Sequence, residues 1–339
     1  MKAIIGHSAQ EAVRWLQLGE PVALPTETVY GLAAPLSEVV TIQKIYALKQ
    51  RPAENPLIVH VLDTQQLEEI AFVHSSALAL AETYWPGPLT LVLKKKDCVS
   101  SIVTGGLPSI AVRAPQAPLF REVISLLQEP LVAPSANTFQ HLSPTTAQHV
   151  LQDLGNKLSY ILDGGPCNFG VESTILSLLD EGKPTLLRHG PIAKETLEIF
   201  LKKTIIDGTS TEIHLSPGLY KKHYSPQKPL YWVQQLEGFS PPEAYQKCFY
   251  ENAAHIFLYP PKHTLAPHEY VLSPNQTLEE VATHLFECLQ KLDQEHWTSI
   301  WIEKAPNYGI GKAINDRLSR AAHVDLTTKK NLKDSNEFP

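Results

Sequence analysis

The chain has 339 residues, 43% hydrophobic and 19% charged, so it is long enough for two globular domains with sizeable cores and too apolar for a disordered protein. A formal net charge of −6 excludes nonspecific nucleic-acid binding through a general basic field, and any anionic ligand must be held by a local cluster of cations. Cys98, Cys167, Cys248 and Cys288 are scattered without a Cys-x-x-Cys pair, which reads as reduced thiols rather than a disulfide framework or a zinc site, and no run approaches the roughly 20 apolar residues of a membrane span.

From Ser8 to Leu18 the apolar residues Ala12, Val13, Leu16 and Leu18 follow a helical period that Gly19 ends. Pro21–Leu24 reads as a short buried strand, which delivers Thr26 to a surface turn. Ser37 and Glu38 open the next helix, with Val39, Ile42, Ile45, Tyr46 and Leu48 as its stripe and Pro52 as its stop. Strand-like runs then alternate with helical ones at 89–93, 109–113, 131–133, 160–162, 173–178 and 185–188, which predicts a mixed α/β domain over residues 1–207. Pro and Gly punctuation marks 208–228 as an interdomain linker. Strands at 255–259 and 299–303, a helix at 278–292 between them and a last helix opened by Gly309-Ile310-Gly311 predict a smaller parallel, Rossmann-like domain over 229–322, with 323–339 as a frayed tail.

Lys49 and Arg51 fall in the last turn of the second helix, where they complement either the helix dipole or a phosphate-bearing ligand. In Ser109-Ile110-Ala111-Val112-Arg113 the strand alternation puts Ser109 and Arg113 on one face and Ile110 and Val112 on the other, either an exposed polar face or the wall of a cleft. Ala133-Pro134-Ser135-Ala136-Asn137 leaves a strand end as a turn, a helix cap or a ligand loop. Arg188 reads as a surface ion pair and His60 as a core histidine on pattern alone. Gly309-Ile310-Gly311 lacks the third glycine and the acidic residue of a dinucleotide fingerprint.

Pro25-Thr26-Glu27-Thr28-Val29-Tyr30-Gly31-Leu32 followed by Lys49-Gln50-Arg51-Pro52 resembles the amino-terminal signature of the Sua5/YrdC/YciO family, the threonylcarbamoyl-AMP synthases that begin t6A modification of tRNA. Phe169-Gly170-Val171-Glu172-Ser173-Thr174-Ile175, Leu186-Leu187-Arg188-His189-Gly190-Pro191 and the linker segment from Pro217 to Pro226 extend the resemblance, the last pointing to the two-domain Sua5 type. The resemblance implies a twisted mixed sheet with helices of YrdC type and a smaller Rossmann-like α/β domain at the carboxy end. It assigns Lys49 and Arg51 to catalysis on the ATP phosphates, with Ser109, Asn137, Ser143, Arg188 and His223 also near ATP. Threonine would be held by Thr26, His60, Arg113, Ser135 and Ser173. The family usually has Ser-Gly where this chain has Phe139-Gln140-His141, which leaves the loop leading to Ser143 open.

The resemblance implies a synthase that joins L-threonine, bicarbonate and ATP, with Mg2+ carried in on the ATP and no protein metal ligand. Its product would pass to the tRNA threonylcarbamoyl transferase machinery, with a weak or transient tRNA contact left open and no membrane contact. The chain is expected to be soluble and cytoplasmic. A carbamate oxygen attacks phosphorus in this chemistry, so no enzyme nucleophile is needed, and the sequence has no Gly-x-Ser-x-Gly elbow and no P-loop. Substitution of Lys49 or Arg51 by Ala is expected to remove activity and leave the melting temperature nearly unchanged. A basic, aromatic linker reads as a lid or as a rigid spacer. A noncatalytic RNA-binding protein and a carbamoyl-transfer enzyme are the competing readings.

Overall fold

The computed structural model describes residues 3–208 and 224–327. The chain forms two compact units, Met1–Phe139 with Ser143–Tyr220, and Gln140–Leu142 with Lys221–Pro339.

The first unit runs β1 (Ile4–Gly6), α1 (Ala9–Gln17), β2 (Val22–Leu24), β3 (Gly31–Pro35), α2 (Val39–Lys49), β4 (Ile58–His60), α3 (Thr64–Ile70), β5 (Ala71–Phe72), α4 (Ser75–Tyr84), β6 (Leu89–Lys95), α5 (Ser101–Thr104), β7 (Ser109–Arg113), α6 (Pro118–Leu127), β8 (Leu131–Val132), α7 (Ala147–Leu154), β9 (Tyr160–Leu162), β10 (Thr174–Ser177), β11 (Thr185–Arg188), α8 (Lys194–Leu201) and β12 (Ile206–Asp207). Its strands form one mixed sheet in the order β1-β9-β2-β3-β8-β4-β7-β6-β10-β11-β12, with β5 paired to β6. Helix α1 starts where the Ser8 hydroxyl accepts the Glu11 amide, and it buries Ala9, Ala12, Val13 and Leu16. Leu18, expected in that stripe, is exposed, as is Val39 on α2, because each sits at a helix end beyond the packed face.

Alternate residues of β7 face opposite cores. Ile110 and Val112 join the main core, whereas Ala111 meets Ile58, Val92, Ile175 and Leu187 in a separate small cluster. The expected alternation is therefore present, and both faces are buried.

The second unit runs β13 (Leu230–Val233), α9 (Glu243–Tyr250), β14 (Ala253–Phe257), β15 (Glu269–Val271), α10 (Leu278–Gln294), β16 (Ser299–Glu303), α11 (Gly311–Ala321) and β17 (Val324–Leu326). Its sheet, β15-β14-β16-β13-β17, is parallel at every pairing. Helix α10 is capped by Thr277 and buries Val281, Ala282, Leu285, Phe286 and Leu289. Strand β17 lies in the segment read from sequence as a frayed tail. Its Val324, Asp325 and Leu326 gain order by pairing with Tyr231, Trp232 and Val233, almost a hundred positions earlier in the chain. Gly311 is required by packing rather than by a nucleotide, since a Cβ there would lie 2.0 Å from the Pro306 carbonyl oxygen.

The far end of the predicted linker is anchored within this unit. Tyr224 is buried, stacks on Phe286 and lies under the Arg317 guanidinium, and Asp293 accepts the Gln227 and Lys228 amides. His223 lies outside the described residues.

Candidate active site

The signature turn joins β2 to β3, and Thr26 organises it. Its hydroxyl accepts the Thr28 and Val29 amides at 3.1 Å each and lies 2.6 Å from the Val29 carbonyl, to which it donates. This self-bonded turn holds Glu27 and Thr28 inward, where both are buried. Arg113 answers them. One Nη donates to Thr28 Oγ1 at 2.9 Å and the other to Glu27 Oε1 at 2.8 Å, while Glu27 Oε2 accepts the Gln116 amide.

A buried ion pair normally uses every donor, because an unpaired one costs about 1–3 kcal/mol. Arg113 Nε nevertheless has no partner, nor does Nδ1 of His60, its register partner on the neighbouring parallel strand. Burial, reinforced by the Arg113 charge, holds the His60 pKa well below the usual imidazole range, so the ring is neutral at physiological pH. Phe120 packs on that ring at 5.0 Å. The exposed strand face weighed from sequence does not describe Arg113, and His60, although buried against the Ile58 and Leu131 backbone, keeps Nδ1 unpartnered.

The register carries the pattern across the sheet. His60 on β4 pairs with Arg113 on β7, Leu91 on β6 pairs with Val112, and Ile175 on β10 pairs with both Thr90 and Arg188. Continuing the antiparallel β6–β7 register by one residue sets Thr90 opposite Arg113. One rung thus carries His60, Arg113, Thr90, Ile175 and Arg188 on a common face, spanning about 19 Å at about 4.8 Å per strand. Arg188 is not a surface ion pair. It is buried, donating from Nε to the Ser173 carbonyl and from Nη2 to Ser173 Oγ at 3.0 Å each, and Ser173 Oγ lies 2.7 Å from Thr90 Oγ1. The next rung, Ile58, Ala111 and Val92, is apolar and supplies a floor.

A second pair of cations lies at the end of α2. Helix α2 ends in a left-handed Gln50, φ 54°, with Gln50 and Arg51 amides returning to Ala47 and Tyr46 carbonyls, and this cap turns Lys49 and Arg51 inward. Lys49, 1% exposed, donates to the carbonyls of Ser135 and Asn137 at 2.6 and 2.5 Å. Burial first, then the Arg51 charge, lowers its pKa well below the usual amine range, with Asp153 opposing. Arg51 is buried as well, with Nη2 donating to the Pro56 carbonyl at 2.8 Å. Pro56 lies two residues before Ile58, and Ser109 lies two residues before Ala111, the register partner of Ile58. Ser109 is buried with its Oγ unpartnered.

Ser135 and Asn137 therefore meet Lys49 through their carbonyls, and Asn137 Nδ2 donates to the Thr138 carbonyl. Ser143 donates to Glu172 Oε1 at 2.5 Å, and both are buried. The departure at Phe139-Gln140-His141 is absorbed by Gln140 adopting φ 72°, the left-handed region a glycine occupies readily. Sequence reasoning assigned no role to Glu27 or Glu172; the available signal was a carboxylate set among small hydroxyl residues in each quoted motif. All the predicted site residues among the described positions fall in the first unit.

A sequence profile of the Sua5/YciO/YrdC family, described as telomere recombination, matches residues 14–190, and one described as threonylcarbamoyl-AMP synthase, C-terminal domain, matches residues 192–323. The protein named threonylcarbamoyl-AMP synthase in Bacillus subtilis is 39% identical over 324 residues, covering 92% of each chain. Its namesake in Pyrococcus abyssi is 36% identical over 321 residues, 92% of this chain and 93% of that one. The crystal structure of P. abyssi Sua5 complexed with L-threonine superposes with a TM-score of 0.86 at 33% identity, covering 97% of this chain and 100% of that one. With both profiles in order along one chain and relatives matched almost end to end, this protein belongs to the Sua5/YrdC family, in its two-domain form.

Proposed function

We propose that the protein is a threonylcarbamoyl-AMP synthase, a nucleotidyltransferase that converts L-threonine, bicarbonate and ATP into threonylcarbamoyl-AMP and pyrophosphate. The observation that carries this reading is the rung from His60 through Arg113 to Arg188, buried, with Arg113 Nε and His60 Nδ1 unpartnered, Ser109 further along the same strand face and the buried cations Lys49 and Arg51 at the end of α2. The relatives' shared name and the threonine bound by P. abyssi Sua5 support it.

Arg113, already oriented by Glu27 and Thr28, offers its Nε to the amino acid's carboxylate, and neutral His60 offers a nitrogen without adding charge. Thr26 shapes the turn that orients these groups, and Ser135 and Ser173 flank them as the remaining threonine-site residues. Lys49, Arg51 and Arg188 neutralise the triphosphate. Burial, and after it the Arg51 charge, lowers the Lys49 pKa, a penalty that a bound polyanion relieves. Ser109, Asn137, Ser143 and His223 complete the nucleotide site.

Threonine's amine adds to CO2 released from bicarbonate, losing a proton to give a carbamate. A carbamate oxygen then attacks the α-phosphorus and pyrophosphate leaves. Positioning and charge neutralisation by these side chains are the protein's contribution. Mg2+ enters on the triphosphate as part of the substrate and supplies further charge neutralisation. The product passes to the tRNA threonylcarbamoyl transferase machinery. No described helix is long and apolar enough to cross a membrane.

The test is pyrophosphate release with ATP, bicarbonate and Mg2+, with and without threonine. Threonine-dependent release and a threonylcarbamoyl-AMP mass are expected. Release indifferent to threonine, or none, would remove the reading and favour an RNA-binding protein or a carbamoyl-transfer enzyme.

A further inference from the structure

The second unit carries a side-chain cluster that the synthase chemistry does not use. His255, on β14, is the register partner of Glu269 on β15, so both project from one face of the parallel sheet, and His268 precedes Glu269 directly. One donor atom from each of the three lies within 4.8 Å of the others. Strand β15 is the sheet's edge, and His268 and Glu269 are only half-buried, so an entry path from solvent exists.

We propose that His255, His268 and Glu269 form a binding site for a divalent d-block cation, with zinc(II) the ion the donor set suits best and the fourth position left to water. Two imidazoles and one carboxylate are a three-ligand set of the kind tetrahedral zinc accepts, and hard ions such as magnesium prefer oxygen alone.

The surroundings are those of a metal site. His255 Nε2 lies 3.0 Å from the Phe249 carbonyl, its hydrogen-bond partner, which fixes the tautomer and leaves the lone pair on Nδ1. Phe249 also stacks on the ring at 4.3 Å, restricting its rotation. Glu269 is oriented by His263, whose Nε2 lies 3.0 Å from Oε2, and by the Ala266 amide at 2.8 Å. Zinc bonds of about 2.0–2.2 Å require donors about 3.3 Å apart, so the half-buried His268 and Glu269 would swing inward by rotamer adjustment. The ion would then tie the edge strand and the 263–269 loop to β14.

The full chain, stripped with a chelator and returned to buffer, is titrated with zinc(II) against a chromophoric competitor, and cobalt(II) is added separately to read the visible d–d absorption. One equivalent per chain with a dissociation constant below about 1 µM is expected, with His268→Gln and Glu269→Gln each weakening it by about 100-fold and His263→Gln by about 10-fold. Cys98→Ser, which removes the one exposed cysteine, should change nothing. The cobalt band should be that of a four-coordinate site and vanish in His268→Gln. Binding weaker than about 10 µM, or sub-micromolar binding indifferent to both His268→Gln and Glu269→Gln, overturns the proposal. Apo-protein melting curves check that each variant folds, and if one does not, the other and the wild-type stoichiometry decide.

Discussion

The two units bury polar groups for different ends. In the second, Asn315 exchanges two hydrogen bonds with the Ala305 backbone, and Arg317 pairs with Asp316 over the Tyr224 ring, so each side chain closes a local structure. Among its described residues the orphaned buried side-chain atoms are Ser225 Oγ and Trp232 Nε1, neither of which titrates near neutral pH. In the first unit Glu27, Lys49, Arg51, His60, Arg113, Glu172 and Arg188 are all buried, and the orphaned atoms include Arg113 Nε, His60 Nδ1 and Ser109 Oγ along a single sheet face. Stability alone favours pairing or replacing such groups. Three orphaned atoms on one face are what a ligand-binding surface looks like when its ligand is needed to complete it.

The largest effect should come from breaking the inner ion pair. Glu27→Ala leaves the Arg113 guanidinium buried without its carboxylate, and urea midpoints should register a loss of about 3–5 kcal/mol together with lost threonine-dependent turnover. A stability change below 1 kcal/mol would mean that solvent reaches Arg113 freely.

Lys49→Ala comes next. From sequence the residue is expected to be expendable for folding, but its two carbonyl bonds and near-complete burial predict a loss of about 1.5–3 kcal/mol as well as of activity. In the second unit Asn315→Ala should cost about 1–3 kcal/mol, because both Ala305 backbone groups lose their partner; an unchanged midpoint would refute the structural role given to it.

Acidification tests the buried histidine of the first unit. The folded pKa of His60 lies below its unfolded value of about 6.5, so the unfolded chain takes up the proton first as pH falls. The stabilisation is complete above about pH 6.5 and is lost on acidification at up to about 1.4 kcal/mol per pH unit until the folded pKa is reached. Midpoints between about pH 5 and 7.5 should slope less in His60→Gln, and an identical slope would show that the ring titrates normally. The smallest effect expected is a gain. Gln50→Gly at φ 54° should stabilise by about 0.5–1 kcal/mol, provided the Lys49 and Arg51 cap is as described.

Much of the local structure around the candidate site was legible because its residues sit in short, ordered motifs. The Lys49 and Arg51 pair at a helix end and the alternation in Ser109–Arg113 need only local periodicity to be read, and the structure has both. What stayed hidden depends on distant partners. Glu27 is a buried anion only because Arg113 arrives from a strand 86 positions away. Strand β17 exists because β13 offers it an edge, and the polar sequence around Val324 gives no sign of that. The rung from His60 to Arg188 is a property of strand order, which crosses the chain repeatedly and leaves no local trace.

The central claim is that the first unit binds an amino acid at His60 and Arg113 and a nucleotide at Lys49, Arg51 and Ser109. Calorimetric titration of threonine and of ATP into His60→Gln and Arg51→Gln tests it directly. The account predicts a crossover, with His60→Gln weakening threonine at least tenfold and ATP little, and Arg51→Gln the reverse. Two variants that weaken the same ligand, or neither ligand, would contradict it.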